Sequence, residues 1–245
     1  MRRLLAALLL SVGSVGLACS VGLGCAPAPS QAAPRPSIEF IERVLNAAPN
    51  DKLPMLIALH GLGDSPEQFM ELFTDLSLRV RIIAARAPDP YAVGTSWFPI
   101  DDPERAPKAI VDRAAQLAEF ADQLARTRPT VGRPLVTGFS QGGILSFAVA
   151  AYHSEHFQAA LPIAGALLDA LPRYRKAAKG FTVTAFHGRD DTRIPYAGAE
   201  RTVARLNAAG TVASLTGFAG VGHSVTPALY ERYVVALTSE LAKLR

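Results

Sequence analysis

The sequence predicts an α/β protein with a mostly parallel central sheet that is covered by helices on both faces. Apolar runs of strand length alternate with longer stretches of helical spacing, and this alternation is typical of parallel sheets. The chain has 245 residues, of which 49% are hydrophobic and 19% are charged. That composition indicates one mid-sized globular domain rather than a disordered chain.

The elements follow from the spacing of the apolar residues. Six apolar runs predict strands at residues 53–59, 80–87, 134–139, 159–167, 181–188 and 212–218. Three stretches predict helices, at residues 106–127, 144–152 and 224–244. In a sheet of this kind, ligands bind beyond the carboxyl ends of the strands. The polar residues that follow the strand runs are therefore the candidates for a functional site.

Residues 1–34 differ in composition from the rest of the chain. Arg2 and Arg3 precede a long uncharged apolar stretch and then a Pro/Ala tract, which is the layout of an export signal followed by a flexible linker. We therefore expect a folded domain over residues 35–245 that works outside the cytoplasm, in the periplasm or cell envelope or as a secreted protein. The formal net charge of +4, or +2 without the two arginines, is too small to indicate binding to nucleic acid.

Three fates of this leader remain open. Cys19 and Cys25 each follow "GLA" or "GLG", a context similar to a bacterial lipoprotein cleavage site, although the Leu lies one place closer to the cysteine than usual. Lipidation at Cys19 or Cys25 would attach the protein to a membrane, cleavage near Ala32 would release it, and an uncleaved stretch would anchor it. Both cysteines of the chain lie in the leader, so we expect no disulfide in the folded domain.

The segment "LVTGFSQGG" marks the strongest candidate for chemistry. It places Gly138 and Gly142 two residues before and after Ser140, between a predicted strand and a predicted helix. A Gly-x-Ser-x-Gly turn in this context is the nucleophile-elbow pattern, in which a tight turn lifts the serine hydroxyl above the sheet. The alternative is a glycine-rich turn with a capping serine. The catalytic interpretation requires a histidine and an acid downstream, because a serine hydroxyl is a weak nucleophile without a base.

His223 is the favoured base among five histidines. It lies on a glycine-flanked loop after the last strand run, which gives the chain order Ser, Asp, His. His153 and His156 lie in a polar segment at a helix end, where solvated or capping roles are expected. His60 and His187 each precede a glycine at the end of a strand run, a position that favours a structural role.

The acid is expected at the end of the strand run before His223. The segment "HGRDDTRIP" offers Asp190 and Asp191. Either carboxylate could accept the second N–H of His223 and fix the tautomer that deprotonates the serine. Spacing alone does not choose between them.

An oxyanion hole needs one backbone N–H from the residue after the nucleophile and another from an early strand-to-helix loop. These requirements indicate Gln141 and Leu62, the latter in the loop "LHGLGDS". The other interpretation of this loop is an ordinary turn with a helix cap at Asp64 or Ser65.

Taken together, five motifs resemble one family. "LHGLGDS", "SWFPI", "GFSQGG", "HGRDDTRIP" and "GVGHSV" occur in this order, and the chain from about residue 50 to 243 resembles the small carboxylesterase/phospholipase family of α/β-hydrolases, which includes the acyl-protein thioesterases. The combination is far more specific than Gly-x-Ser-x-Gly alone. The resemblance implies an α/β-hydrolase fold with a minimal lid.

The resemblance also implies roles for individual residues. It supports Ser140, His223, Leu62 and Gln141 in the roles given above, and it favours Asp191 over Asp190 because the family acid precedes x-x-Val/Ile-Pro, here Ile194 and Pro195. The "WF" pair, Trp97 and Phe98, matches residues near the acyl pocket of the family. At Pro99 the chain departs from the family, which usually has aspartate there. The leader is a second departure, since the familiar thioesterases are cytoplasmic.

The expected function is cleavage of small-molecule or lipid-like carboxylic esters through an acyl-serine intermediate, without a metal or nucleotide cofactor. The alternative substrates are acyl thioesters and lysophospholipids. A hydrolase fold kept as a non-catalytic binding protein is the alternative from another class, and a fluorophosphonate probe would distinguish it. Activity should fall in acid, because a protonated imidazole cannot accept the serine proton.

Overall fold

The computed structural model of the protein describes residues 38–244. Within these residues the strands are β1 (Phe40–Leu45), β2 (Met55–Leu59), β3 (Val80–Ala85), β4 (Asp89–Tyr91), β5 (Gly94–Ser96), β6 (Leu135–Phe139), β7 (Ala159–Ile163), β8 (Thr182–Gly188) and β9 (Val212–Phe218). The helices are α1 (Pro66–Met70), α2 (Ala106–Thr127), α3 (Gln141–Tyr152), α4 (Tyr196–Ala208) and α5 (Pro227–Ala242), with 3-10 turns at Glu71–Phe73 and Ser154–His156.

Seven strands form one sheet in the order β1-β3-β2-β6-β7-β8-β9. The edge strand β1 runs antiparallel to β3, and the other neighbours are parallel. The predicted fold class is therefore confirmed. Because β3 lies on one side of β2 and β6 on the other, the crevice beyond the carboxyl ends of β2 and β6 is a topological switch point, where such sheets bind ligands.

Both faces of the sheet are buried, as the continuous apolar runs require. Along β2, Met55, Ile57 and Leu59 contact the core on one face, and the intervening Leu56 and Ala58 contact the core on the other. Helices α2, α3 and α4 cover the first face, and α1 and α5 cover the second. This two-sided packing holds the strand ends of the candidate site in a rigid frame.

Five of the six strand predictions agree with the structure to within two residues at each end, and one extends too far. The run 159–167 leaves the sheet after Ile163, because Ala164 adopts a positive φ of 49°. The chain then passes against α3, so closely that a Cβ at Gly165 would lie 2.5 Å from the carbonyl carbon of Gly143. No helix or strand forms over residues 164–181, between β7 and β8.

The predicted helix at residues 106–127 is α2. The helix predicted at 144–152 begins earlier, at Gln141, directly after the serine turn. The stretch 224–244 forms α5, which starts where the hydroxyl of Thr226 caps the backbone three residues on. None of the helices in residues 38–244 combines the length and apolar character needed to cross a bilayer.

Candidate active site

Ser140 occupies the sharp turn between β6 and α3. Its φ of 56° and ψ of −115° are a strained combination for a residue with a Cβ. The flanking glycines have no space for a side chain, since a Cβ at Gly138 would lie 2.4 Å from the carbonyl of Gly142, and one at Gly142 would lie 2.0 Å from the carbonyl oxygen of Leu59. The turn at Ser140 therefore has the predicted nucleophile-elbow geometry.

Ser140, His223 and Asp191 form one chain of hydrogen bonds. His223 Nε2 lies 2.9 Å from Ser140 Oγ, and His223 Nδ1 lies 2.6 Å from Asp191 Oδ2. Because an ionised carboxylate can only accept, Nδ1 carries the ring proton and the Nε2 lone pair faces the serine hydroxyl. The three residues come from loops after β6, β8 and β9, which end at the same edge of the sheet.

The surroundings of Asp191 keep its carboxylate ionised. The side chain has no exposed surface, and its Oδ1 accepts the backbone N–H groups of Arg193 and Ile194, each at 2.9 Å. Burial alone raises the pKa of the carboxyl, but the hydrogen bonds from His223 and Ile194 outweigh burial and hold the pKa below its ordinary value. The neighbouring Asp190 is an exposed loop residue.

His187 has a closer relation to the acid than its sequence position predicts. The imidazole is 1% exposed, and its Nε2 lies 2.8 Å from the carbonyl oxygen of Ile194 and 3.2 Å from Asp191 Oδ2. Nε2 must donate, because a carbonyl oxygen only accepts. His187 therefore has the predicted structural role, and it acts by holding the loop that carries Asp191. A histidine four residues before the aspartate was the only sequence signal of this contact.

The loop after β2 lies against the serine turn. A Cβ at Gly61 would lie 3.6 Å from the Cβ of Ser140, so Leu62 is one residue from this contact. Within residues 38–244, the backbone N–H groups of Leu62 and Gln141 make no hydrogen bond to another residue. Both predicted oxyanion donors therefore retain a free N–H beside the nucleophile.

The helix cap in this loop is Ser65. Its Oγ accepts the backbone N–H of Gln68 at 3.3 Å, which starts α1. Asp64 instead accepts the N–H of Ser65 at 2.7 Å. The cap at Ser65 and the predicted oxyanion donor Leu62 therefore lie in the same loop, and the cap does not exclude that prediction.

His60 fixes the start of this loop. Its Nδ1 donates to the carbonyl of Gly61 at 2.7 Å, and its Nε2 accepts the N–H of Ala87 at 3.2 Å. Burial lowers the pKa of His60, which keeps the ring neutral as these partners require. The indole of Trp97 donates to the His60 carbonyl at 2.9 Å.

The side chain of Gln141 connects the serine turn to the "WF" segment. Its Oε1 accepts the N–H of Trp97 at 3.0 Å, and its Nε2 donates to the carbonyl of Phe98 at 3.0 Å. The sequence reasoning considered only the backbone of Gln141 and missed this contact. A glutamine directly after the serine was the available signal.

Trp97 and Phe98 are both buried, with 0% and 5% of their surface exposed. Together with Pro99 and Arg113 they line part of a cavity of about 410 Å³. The indole of Trp97 contacts the loop after β2 through its hydrogen bond to the His60 carbonyl. Contact of Trp97 or Phe98 with a substrate remains a prediction.

The structure describes one group of three potential metal ligands within residues 38–244, namely His153, Glu155 and His156. This group lies at the far end of α3 from the serine. Cys19, Cys25 and the predicted leader at 1–34 lie outside the described residues.

Comparison with known proteins agrees with this architecture. Residues 42–233 match the family model described as phospholipase/carboxylesterase. A carboxylesterase from Bacillus cereus has a TM-score of 0.72 at 16% identity, over 83% of this chain and 94% of that chain. Acyl-protein thioesterase 2 from Zea mays has a TM-score of 0.66 at 20% identity, over 83% of this chain and 99% of that chain.

A carboxylesterase from Mesorhizobium loti is similar at a TM-score of 0.68 and 22% identity, over 81% of this chain and 94% of that chain. A search of curated protein sequences gave no match. The structural likenesses show the shared fold, and the family model covers most of the described residues. The chain belongs to the phospholipase/carboxylesterase family of α/β-hydrolases.

Proposed function

We propose that the protein is a serine esterase that cleaves carboxylic esters through an acyl-serine intermediate. Ser140 is the nucleophile, His223 is the general base and acid, and Asp191 orients the imidazole. The observation that carries this proposal is the continuous hydrogen-bonded chain from Asp191 Oδ2 through both ring nitrogens of His223 to Ser140 Oγ. Such a chain is what a serine hydroxyl needs to become nucleophilic at neutral pH.

The reaction follows from the direction of these hydrogen bonds. His223 Nε2 takes the hydroxyl proton as Ser140 Oγ attacks the ester carbonyl, and it then returns the proton to the departing alcohol oxygen. Water attacks the acyl-serine in the second half and gives a proton to Nε2, which passes it to Ser140 Oγ as the acyl–oxygen bond breaks and the acid is released. Asp191 stays ionised throughout and stabilises the imidazolium.

Leu62 and Gln141 are proposed to stabilise the oxyanion. Their backbone N–H groups lie on the two chain segments that meet at Ser140, and Gln141 begins α3, whose N-terminus carries a partial positive charge. An oxyanion donor of this kind contributes about 10²–10³ in rate. The Trp97 and Phe98 segment, held by the Gln141 side chain, is proposed to border the acyl pocket.

Three substrate classes are candidates: simple carboxylic esters, acyl thioesters and lysophospholipids. The family description includes phospholipases, and one structural neighbour is named an acyl-protein thioesterase. Parallel kcat/KM measurements on a short aryl ester, an acyl thioester and a lysophospholipid rank the three. We expect the short aryl ester to be turned over.

The test compares Ser140→Ala with Ser224→Ala in p-nitrophenyl butyrate hydrolysis. Ser224 is an exposed serine next to His223, so its substitution controls for a change near the site. We expect Ser140→Ala to lose several orders of magnitude in kcat with an unchanged thermal transition, and Ser224→Ala to retain activity. Full activity of Ser140→Ala would overturn the proposal.

We further propose that the enzyme works outside the cytoplasm. The proposal rests on Arg2, Arg3 and the apolar and Pro/Ala composition of residues 1–34. Mass spectrometry of the N-terminus tests it. An acylated Cys19 or Cys25 indicates a lipid-anchored protein, a start near Ala33 indicates secretion, and an intact Met1 in a soluble cytoplasmic fraction contradicts export.

A further inference from the structure

The end of α3 carries a second cluster of chemically active side chains. One ligand atom each from His153, Glu155 and His156 lie within 4.8 Å of one another. His156 Nε2 is 3.7 Å from Glu155 Oε1. The 12 residues of α3 separate this cluster from Ser140, a distance of about 18 Å along the helix. The cluster is therefore independent of the proposed catalytic site.

Asp122 on α2 fixes the orientation of one of these histidines. Its Oδ2 lies 3.0 Å from His156 Nδ1, and an ionised carboxylate can only accept, so Nδ1 carries the proton. The other ring nitrogen, Nε2, faces the carboxylate of Glu155 at 3.7 Å. A proton or a metal ion on Nε2 would link the two groups. A carboxylate behind the distal nitrogen is also the usual arrangement around a metal-bound histidine.

Charged side chains of both signs surround the cluster. Glu119, Asp122 and Glu155 all lie near the two imidazoles. The nearby guanidinium of Arg175 donates to the carbonyl of Tyr152 at 3.1 Å. That of Arg133 donates to the carbonyl of Glu155 at 2.9 Å. Both guanidinium groups donate to backbone carbonyls and keep their positive charge.

We propose that His153, Glu155 and His156 bind a divalent transition-metal ion of the zinc class, with Asp122 orienting His156. Zinc binds imidazole nitrogen and carboxylate oxygen at about 2.0–2.2 Å, which places tetrahedral ligands about 3.4 Å apart. The observed spacing needs only small rotations of side chains that are partly exposed. Two nitrogens and one oxygen select zinc, copper, nickel or cobalt over magnesium and calcium.

The ion would link the 3-10 turn Ser154–His156 to the end of α3 and, through Asp122, to α2. Its role is structural, because it lies at the opposite end of α3 from Ser140. A ligand that binds only the native state stabilises it by an amount that rises with the logarithm of ligand concentration above the Kd. Zinc is therefore expected to raise the thermal transition without changing ester turnover.

The experiment uses the untagged full chain, freed of metal by chelation and titrated with Zn²⁺ by calorimetry and with Co²⁺ by visible absorption. We expect wild type to bind one equivalent that His156→Ala and Glu155→Gln lose or bind at least tenfold more weakly. Asp122→Asn should weaken binding about 10–100-fold. Glu200→Gln, an exposed carboxylate on α4, is the matched control and should bind as wild type does.

Thermal transitions measured without metal establish that each variant is folded. Ser140→Ala should bind Zn²⁺ as wild type does, so this proposal and the proposed esterase function fail independently. The metal proposal is wrong if folded Glu155→Gln and His156→Ala bind the same number of equivalents as wild type with the same affinity. It is also wrong if wild type binds none, since a proton alone would then bridge His156 and Glu155.

Discussion

Replacing Asp191 with asparagine separates the proposed catalytic role of this carboxylate from its role in folding. Oδ1 accepts two backbone N–H groups, from Arg193 and Ile194. The amide nitrogen of asparagine can only donate, so the amide oxygen must take the position of Oδ1. The amide nitrogen then replaces Oδ2, 2.6 Å from His223 Nδ1. Nδ1 must accept, the ring proton moves to Nε2, and no base faces Ser140.

The magnitudes of the two effects differ. The wrong histidine tautomer costs about 10⁴ in kcat in a Ser-His-Asp site, which corresponds to about 5 kcal/mol of transition-state stabilisation. The fold loses the charge-assisted hydrogen bond to His223 and the contact of His187 Nε2 with Oδ2 at 3.2 Å. It keeps the two backbone contacts, and the cost is about 1–3 kcal/mol. Asp191→Asn should therefore be a folded protein with almost no turnover.

The assay measures kcat/KM for p-nitrophenyl butyrate together with urea unfolding. Asp190→Asn is the matched control, because Asp190 is exposed. Its kcat/KM should stay close to that of wild type, and its free energy of unfolding should change by under about 0.5 kcal/mol. The reasoning is refuted if Asp190→Asn loses more activity than Asp191→Asn. It is also refuted if folded Asp191→Asn stays within tenfold of wild type.

Three further predictions concern the support of the site. Burial holds the pKa of His60 below its ordinary value, so its contribution to the free energy of unfolding is present above about pH 6.5 and is lost as pH falls towards the lower folded pKa. Urea unfolding should show this fall in wild type and a shallower one in His60→Gln, and equal slopes would contradict it. Gly142→Ala should not fold or should lose all activity, because its Cβ would lie 2.0 Å from a carbonyl oxygen. Gly222→Ala, with 3.8 Å of clearance, should be active. Soluble expression and ester turnover of the two variants test this, and an active Gly142→Ala would contradict it. Gln141→Ala leaves the N–H of Trp97 unpaired and should lower the free energy of unfolding by about 1–3 kcal/mol, and an unchanged urea midpoint would show that this contact contributes nothing.

The central strands were predictable because burial on both faces leaves continuous apolar runs. Helix α4 was not predicted, although its buried residues Ala199, Thr202, Val203 and Leu206 have helical spacing. Two of these four residues are Ala and Thr, whose weak hydrophobicity hides the pattern. The edge strand β1 was also missed, because it is only partly buried and its pairing with β3 joins residues about 40 positions apart.

The three residues of the hydrogen-bonded chain were predictable because each is marked locally, by a glycine-flanked turn or by a family motif. The supporting contacts were not. The side chain of Gln141 meets Trp97, which is 44 positions away, and His60 meets Ala87, which is 27 positions away. Such contacts arise only when the strand ends come together at one edge of the sheet, so the sequence shows the residues but not their partners.

Labelling with a fluorophosphonate probe, followed by peptide mapping, tests the central claim most directly. The probe forms a covalent bond only with a serine hydroxyl that is activated by a base. The account predicts one label per chain, on the peptide that contains Ser140, with loss of the label in Ser140→Ala and strong slowing in His223→Ala. A folded wild-type protein that stays unlabelled, or a label that persists in Ser140→Ala, would contradict the claim that Ser140 is the nucleophile.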